Sequence, residues 1–488
     1  MMTMRKRRSG LAEREFVKPQ MPAPERPPRG NGRTGDPLRA AAGWLCGWPW
    51  LDPAAHWALR RWFFPLSRLW AAGTVAEGSP ERFYEAVPAE PRPGQRDRLV
   101  RLLARLEEAR VRAEAVDAAW HRALFDGIGT GGGAASETEC MALETARLAA
   151  RQDHNGLRRQ FRFLITPATP RVNFDPPTPA EVDAVYGAAL ADPAPYFAPP
   201  DPMPELTRTR AIPTAKGRDF WISFDSPSGR LADRVHARVY EPDGVTDPPT
   251  LIFGHGICIE FDHWRGLIDE VGALRARGIR VIRPEAPWHG RRRTPGHYGG
   301  ERMISTFPMG SLDLMTGAVR EWSVLADWAR KTSSGPLAFG GSSLGALTAQ
   351  LAADRARDWP ARLQPEALLL IAHCGTIQDA VRHGDLMRIW GGREIVEAKG
   401  WRPEPLEDYL ALLAPSRGPV TPPERIVTVL GKRDRVTPYA SGADAIDRWH
   451  IPDANRFIWD RGHFSIPVTM MRDPAPLDRF CALMRESG

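Results

Sequence analysis

Residues Gly335 to Gln350 read GPLAFGGSSLGALTAQ. A short apolar run meets two glycines, two serines and another glycine, and an alanine-rich run follows. The pattern predicts a strand that turns sharply into a helix. At such a turn the apex residue is strained. The backbones two residues before and after it nearly touch, so both positions must be tiny. Ser343 has Gly341 and Gly345 there, whereas Ser342 has Gly340 and Leu344. Leu344 would clash, so Ser343 is the apex and Ser342 the residue before it. The Ser343 hydroxyl then sits near a helix N-terminus, where the dipole favours a developing negative charge.

Outward from this turn, strands alternate with helices from about Lys216 onward. FWISFDS (220–226) and RVHARVYEP (234–242) alternate apolar and polar residues, as edge or hairpin strands do. TLIFGHG, IRVIRPEAP, ALLLIAH, RIVTVLG and RFIWD read as further strands. LIDEVGALRARG, LDLMTGAVREWSVLADWAR and APLDRFCALMRES read as helices. This alternation predicts a mostly parallel sheet covered by helices on both faces.

Ligands of such sheets bind beyond the carboxyl ends of the strands. Two more loops at such ends carry reactive groups. GKRDRVTP follows one strand and holds Asp434; DRGHFSIP follows the next and holds His463. A serine hydroxyl is a weak nucleophile at neutral pH and needs a base. Imidazole, with a pKa of about 6.5, is the usual one, and a carboxylate can orient it. The chain order Ser343, Asp434, His463 suits a strand–elbow–helix architecture. Asp460 is the rival acid, but it stands only three residues before His463.

With these motifs go HGICIEFDHW (255–264) and PEAPWHGRRR (284–293). Together they make residues 216–486 resemble the α/β-hydrolase superfamily, and within it the esterase- and lipase-like branches. The resemblance implies the α/β-hydrolase fold, with a cap insertion over about residues 375–424. It implies an oxyanion hole formed by the Leu344 amide and by that of Ile257, with Cys258 the less favoured alternative. Losing one such donor typically costs ~3 kcal/mol. His255 is expected to fix that loop. His289, Cys258 and Ser342 are candidate substrate-pocket residues. Arg291 to Arg293 either greet an anionic substrate or pair with local acids. His373 is expected to be a buried, satisfied side chain.

The implied activity is serine hydrolysis of a carboxylic ester or thioester through an acyl-enzyme, with a small-molecule or lipid-like acyl ester as substrate. No cofactor or metal is expected, since neither metal-ligand spacing nor a nucleotide loop is present. Three alternatives stay open: an acyltransferase using the same residues, a non-catalytic binding protein on the same fold, and peptidase action.

The remainder is read from composition and periodicity. The chain has 488 residues, 42% of them hydrophobic, and a net charge of +7 spread along its length. A spread excess argues against a nucleic-acid partner. The five cysteines form no C-x-x-C pair, which points to a reducing compartment and a cytoplasmic location. Residues 1–37 read as a disordered basic, proline-rich tail, and 38–165 as a helical region. Its clearest helix runs from Leu99 to Phe125. HWALRRWFFPLSRLW (56–70) is expected to dock its aromatics on the catalytic domain, with peripheral membrane contact the less favoured reading, because Pro65 should break the helix. Residues 166–215 are proline-dense and read as an extended linker. Oligomeric state is not legible.

Overall fold

The computed structural model describes residues 51–87, 92, 94–126, 136–258 and 270–486. The tail and most of the Gly-rich connector 127–136 lie outside the described residues. Ten strands are described: β1 Thr207–Arg208, β2 Ile212–Thr214, β3 Gly217–Asp225, β4 Arg234–Pro242, β5 Thr250–Gly254, β6 Arg280–Pro284, β7 Leu337–Ser342, β8 Ala367–Ile371, β9 Ile426–Gly431 and β10 Arg456–Trp459. They form one sheet in the order β1-β3-β4-β6-β5-β7-β8-β9-β10, with β2 also paired to β3. From β6 to β10 all pairings are parallel; those of β1 to β4 are antiparallel.

Strand periodicity decides which side chains meet which helices. Ile252, Ile282, Phe339, Leu368 and Leu370 point to one face and join a core with helices Met309–Thr332 and Leu344–Arg355. Their neighbours Leu251, Phe253, Val281, Ala338 and Leu369 point to the other. There they meet helices Glu270–Arg275 and Ala475–Arg485. Both faces are therefore apolar, which is why β5, β8 and β9 are buried along their whole length.

The N-terminal helical region has a core of its own. Leu99, Leu102, Leu103 and Leu106 of helix Gln95–His121 pack with Leu69, Trp70, Phe83 and Phe161. Pro65 does not break the chain's helical course, contrary to expectation. A π-helical turn, Leu59–Phe63, runs straight into helix Phe64–Val75, with Pro65 in its first turn. A proline there needs no N–H acceptor, and the wider preceding turn relieves its ring's clash with the backbone.

The stretch 166–215 also differs from an extended linker. Thr178 and Glu181 form a capping box that starts helix Pro179–Ala191. Val182, Tyr186 and Ala189 of that helix are part of the main core. The 375–424 insertion folds as four short helices, Ile377–His383, Asp385–Trp390, Arg393–Ala398 and Pro403–Ala411. No helix among the described residues is long and apolar enough to cross a membrane.

Candidate active site

At the end of β7 the chain turns through Ser343 with φ 57° and ψ −120°, directly into helix Leu344–Arg355. The turn is held from two sides. Ser343 N–H donates to Ile371 O at 2.9 Å, extending the ladder to β8. A Cβ on Gly345 would lie 2.7 Å from Gly254 Cα and nearer still to its carbonyl, so helix and β5 meet backbone to backbone. A Cβ on Gly341 would lie 2.6 Å from Gly345 O. A strained serine at the carboxyl end of a central parallel strand, in this strand order, decides the architecture. The chain has the α/β-hydrolase fold.

The three loops converge although their residues lie far apart in sequence. His463 Nε2 is 3.1 Å from Ser343 Oγ, and His463 Nδ1 is 2.8 Å from Asp434 Oδ2. All three residues are buried, each at most 9% exposed. Asp434 is fixed before it meets the ring. Its Oδ1 accepts the N–H groups of Val436 and Thr437 at 2.8 and 2.9 Å. The Thr437 hydroxyl lies 2.8 Å from Oδ2 and 2.9 Å from Ala372 O, its single proton serving one of them at a time. Thr437 was not singled out from sequence; a hydroxyl three residues after an acidic loop residue is the signal that was available. Asp460 is turned away, forked by Arg433 at the surface.

The loop after β5 is braced by two buried histidines. His289 Nδ1–H donates to Pro287 O at 2.9 Å, so Nε2 accepts the Cys258 N–H at 3.2 Å. His255 repeats the arrangement, with Nδ1–H donating to Gly256 O at 2.8 Å and Nε2 accepting Ala286 N–H at 3.1 Å. Burial pushes the His255 imidazole well below its usual pKa, in keeping with a neutral ring in this role. His289 thus lies under the loop, fully buried, rather than on a pocket wall. The Cys258 amide is engaged, whereas the Leu344 N–H heads a helix, where it has no intrahelical acceptor. Ile257 and Cys258 pack into an apolar cluster. It draws Phe63 and Phe64 from the N-terminal region, Tyr298 from the segment between β6 and helix Met309–Thr332, and Ile389 and Trp390 from the 375–424 segment. Ser342 is partly exposed at the end of β7.

Other sequence candidates fall into structural roles. Arg291 donates to Asp117 and lies over the Trp120 and Trp221 rings, 4.4 and 4.6 Å away. Arg292 is paired with Asp233 and Glu321, and Arg293 covers Trp70 at 4.6 Å. His373 Nε2 is 2.7 Å from Thr428 Oγ1, and burial holds its pKa down to about 4. A cleft of about 670 Å³ opens beside the histidine loop, lined by Asp52, His56, Asp385, Arg435 and Gly462 among others. Neither Ser343 nor His463 lines it.

No family model and no curated protein matches the chain. Solved structures do. Acetyl xylan esterase 1 from Thermoanaerobacterium sp. aligns with 63% of this chain and 96% of its own at 16% identity, TM-score 0.42. An S-formylglutathione hydrolase from Agrobacterium tumefaciens covers 56% of this chain and 98% of its own at 15% identity, TM-score 0.38. A puromycin-hydrolyzing peptidase from Mycobacterium tuberculosis covers 56% of this chain and 40% of its own at 18% identity, TM-score 0.38.

Proposed function

We propose that the protein is a serine hydrolase that cleaves a carboxylic ester or thioester through an acyl-enzyme. One observation carries the reading: a serine, a histidine and an aspartate from three strand ends form a continuous hydrogen-bonded chain in the order that nucleophilic catalysis needs. His463 Nδ1–H donates to Asp434, which leaves Nε2 a lone pair facing Ser343 Oγ–H. As Oγ bonds to the acyl carbon, the hydroxyl proton passes to Nε2. The tetrahedral oxyanion takes the N–H groups of Leu344 and Ile257. The imidazolium then protonates the departing alcohol or thiol as its bond to the acyl carbon breaks. Water repeats the sequence with the same base and releases the acid. The apolar residues around Ile257 suit an acyl chain rather than a charged one.

A fluorophosphonate probe tests this. Wild type is expected to be phosphonylated at Ser343, and Ser343→Ala to be unlabelled and without activity toward p-nitrophenyl butyrate. A folded wild type that resists the probe, or labelling that persists in Ser343→Ala, refutes the assignment.

A further inference from the structure

Asp52 lies nearly three hundred residues before the nucleophile, yet its carboxylate reaches the loop that carries His463. Its Oδ1 accepts the Phe464 N–H at 2.8 Å, and its Oδ2 accepts the Ser465 hydroxyl at 2.6 Å. Ser465 Oγ in turn accepts the Gly462 N–H at 3.0 Å. The backbone on both sides of His463 is therefore fastened to one carboxylate, by hydrogen bonds of the stronger, charge-assisted kind.

Gly462 marks the same contact independently. A Cβ there would lie 2.5 and 2.7 Å from the Asp52 carboxylate oxygens, so the missing side chain is the space the carboxylate fills. One turn along the same helix, His56 sets its ring edge-on to Phe464 at 5.6 Å, and Phe464 is edge-on to His463 at 5.3 Å. His56 Nδ1 also stands 3.7 Å from Asp385 of the cap. Helix Leu51–Ala58 thus touches both the histidine loop and the cap insertion.

We infer that Asp52 is a positioning residue for His463, which makes the N-terminal helical region a working part of the catalytic site. The inference rests on the triad assignment above. A short loop on soft dihedrals, residues 460–464, does not by itself hold an imidazole within hydrogen-bond reach of a hydroxyl. Without the carboxylate, Phe464 N–H loses its acceptor. The Ser465 hydroxyl then turns to Gly462 O, 3.1 Å away, and the geometry around His463 relaxes.

The test uses the full-length chain and measures kcat and KM for p-nitrophenyl butyrate, the rate of fluorophosphonate labelling, and thermal unfolding. Asp52→Ala is expected to lower kcat and the labelling rate by roughly 10- to 100-fold with KM within about twofold, the size of loss that a misplacement of about 1 Å produces. Asp52→Asn keeps the shape and the acceptor for Phe464 N–H and is expected to stay within about threefold of wild type. Gly462→Ala should reproduce the Asp52→Ala loss, and the double variant should lose no more than either alone. Wild-type kcat and labelling in Asp52→Ala overturn the inference. If Asp52→Ala does not fold, Gly462→Ala decides, and wild-type kcat and labelling in that variant overturn the inference as well. A wild type that labels at Ser343 while Asp52→Ala is indifferent sinks this inference alone. Labelling that survives Ser343→Ala sinks the triad reading instead.

Discussion

Replacing Gly345 by alanine adds one carbon where helix Leu344–Arg355 crosses β5. The new Cβ would sit 2.7 Å from Gly254 Cα, and ordinary van der Waals contact begins at 3.4 Å. The gap must open by about 0.7 Å, and more against the Gly254 carbonyl. Both obstacles are backbone, so no rotamer change relieves them. Overpacking a core typically costs ~1–3 kcal/mol; with two main chains forced apart, about 3 kcal/mol or more is expected. The same displacement carries Ser343, one residue from the helix start. Its Oγ stands 3.1 Å from His463 Nε2. Moving it by about 0.7 Å leaves hydrogen-bond range, with roughly a 100-fold loss of labelling rate. Gly156 supplies the control. It has φ −63° at the end of a helix, and a Cβ there would meet nothing within 4 Å. Gly156→Ala is expected to be neutral or stabilising by up to ~1 kcal/mol. Urea unfolding and the fluorophosphonate labelling rate measure both effects. Wild-type behaviour of Gly345→Ala in the two assays would refute the steric account of the turn. So would an equal loss in Gly156→Ala.

Asp434→Asn keeps an acceptor for the Val436 and Thr437 amides but turns an NH₂ toward His463 Nδ1. The ring then protonates at Nε2 and cannot take the serine proton. A kcat loss of roughly 10³- to 10⁴-fold with KM nearly unchanged is expected, and a loss under tenfold contradicts the orienting role. Arg68→Met strips the buried Glu301 of its guanidinium, at 3.1 Å from both carboxylate oxygens, and among the described residues leaves it the Asn173 and Tyr298 amides. About 3–5 kcal/mol should be lost in urea unfolding, and much of it regained in Arg68→Met/Glu301→Met. His373 is neutral in the folded protein, its pKa held from 6.5 down to about 4 by burial. The unfolded chain therefore binds a proton that the folded one refuses. Its share of the stability is complete above pH 6.5 and is lost as pH falls toward 4, about 3 kcal/mol in all. His373→Gln should flatten the pH dependence of the urea midpoint in that window; an unchanged slope removes His373 as its source.

The sheet was legible because its constraints are local in sequence. Each buried strand is a short apolar run that ends at a glycine or a polar loop, and β4 falls on RVHARVYEP from first residue to last. The turn at Ser343 was legible for the same reason, since its two close approaches lie at fixed offsets along the chain. Where local signals competed, the reading went astray. TPAEVDAVYGAALA carries a capping box and a proline in the first turn, both helix-starting features, but the prolines around it suggested an extended linker. Pro65 misled through the opposite weighting. A proline disrupts a helix interior, yet the chain places it in a first turn after a π-helical step, which no single-residue rule distinguishes.

Contacts that depend on tertiary approach were illegible in principle. The sequence favours Ile257 over Cys258 for the oxyanion amide, but that His289, thirty-one residues later, takes the Cys258 N–H is a contact no local pattern carries. Asp52 gave no signal, because a lone aspartate at a helix start reads as an ordinary capping or dipole-favoured residue. Gly462 gave half of one: a glycine beside the base suggests a tight approach without naming what approaches. That the approaching group comes from position 52 ties the helical region, which the resemblance leaves unexplained, to the residue whose geometry the proposed chemistry tolerates least. An N-terminal region that merely solubilised the domain would have no reason to place a carboxylate where the only side chain that fits at position 462 is a hydrogen atom.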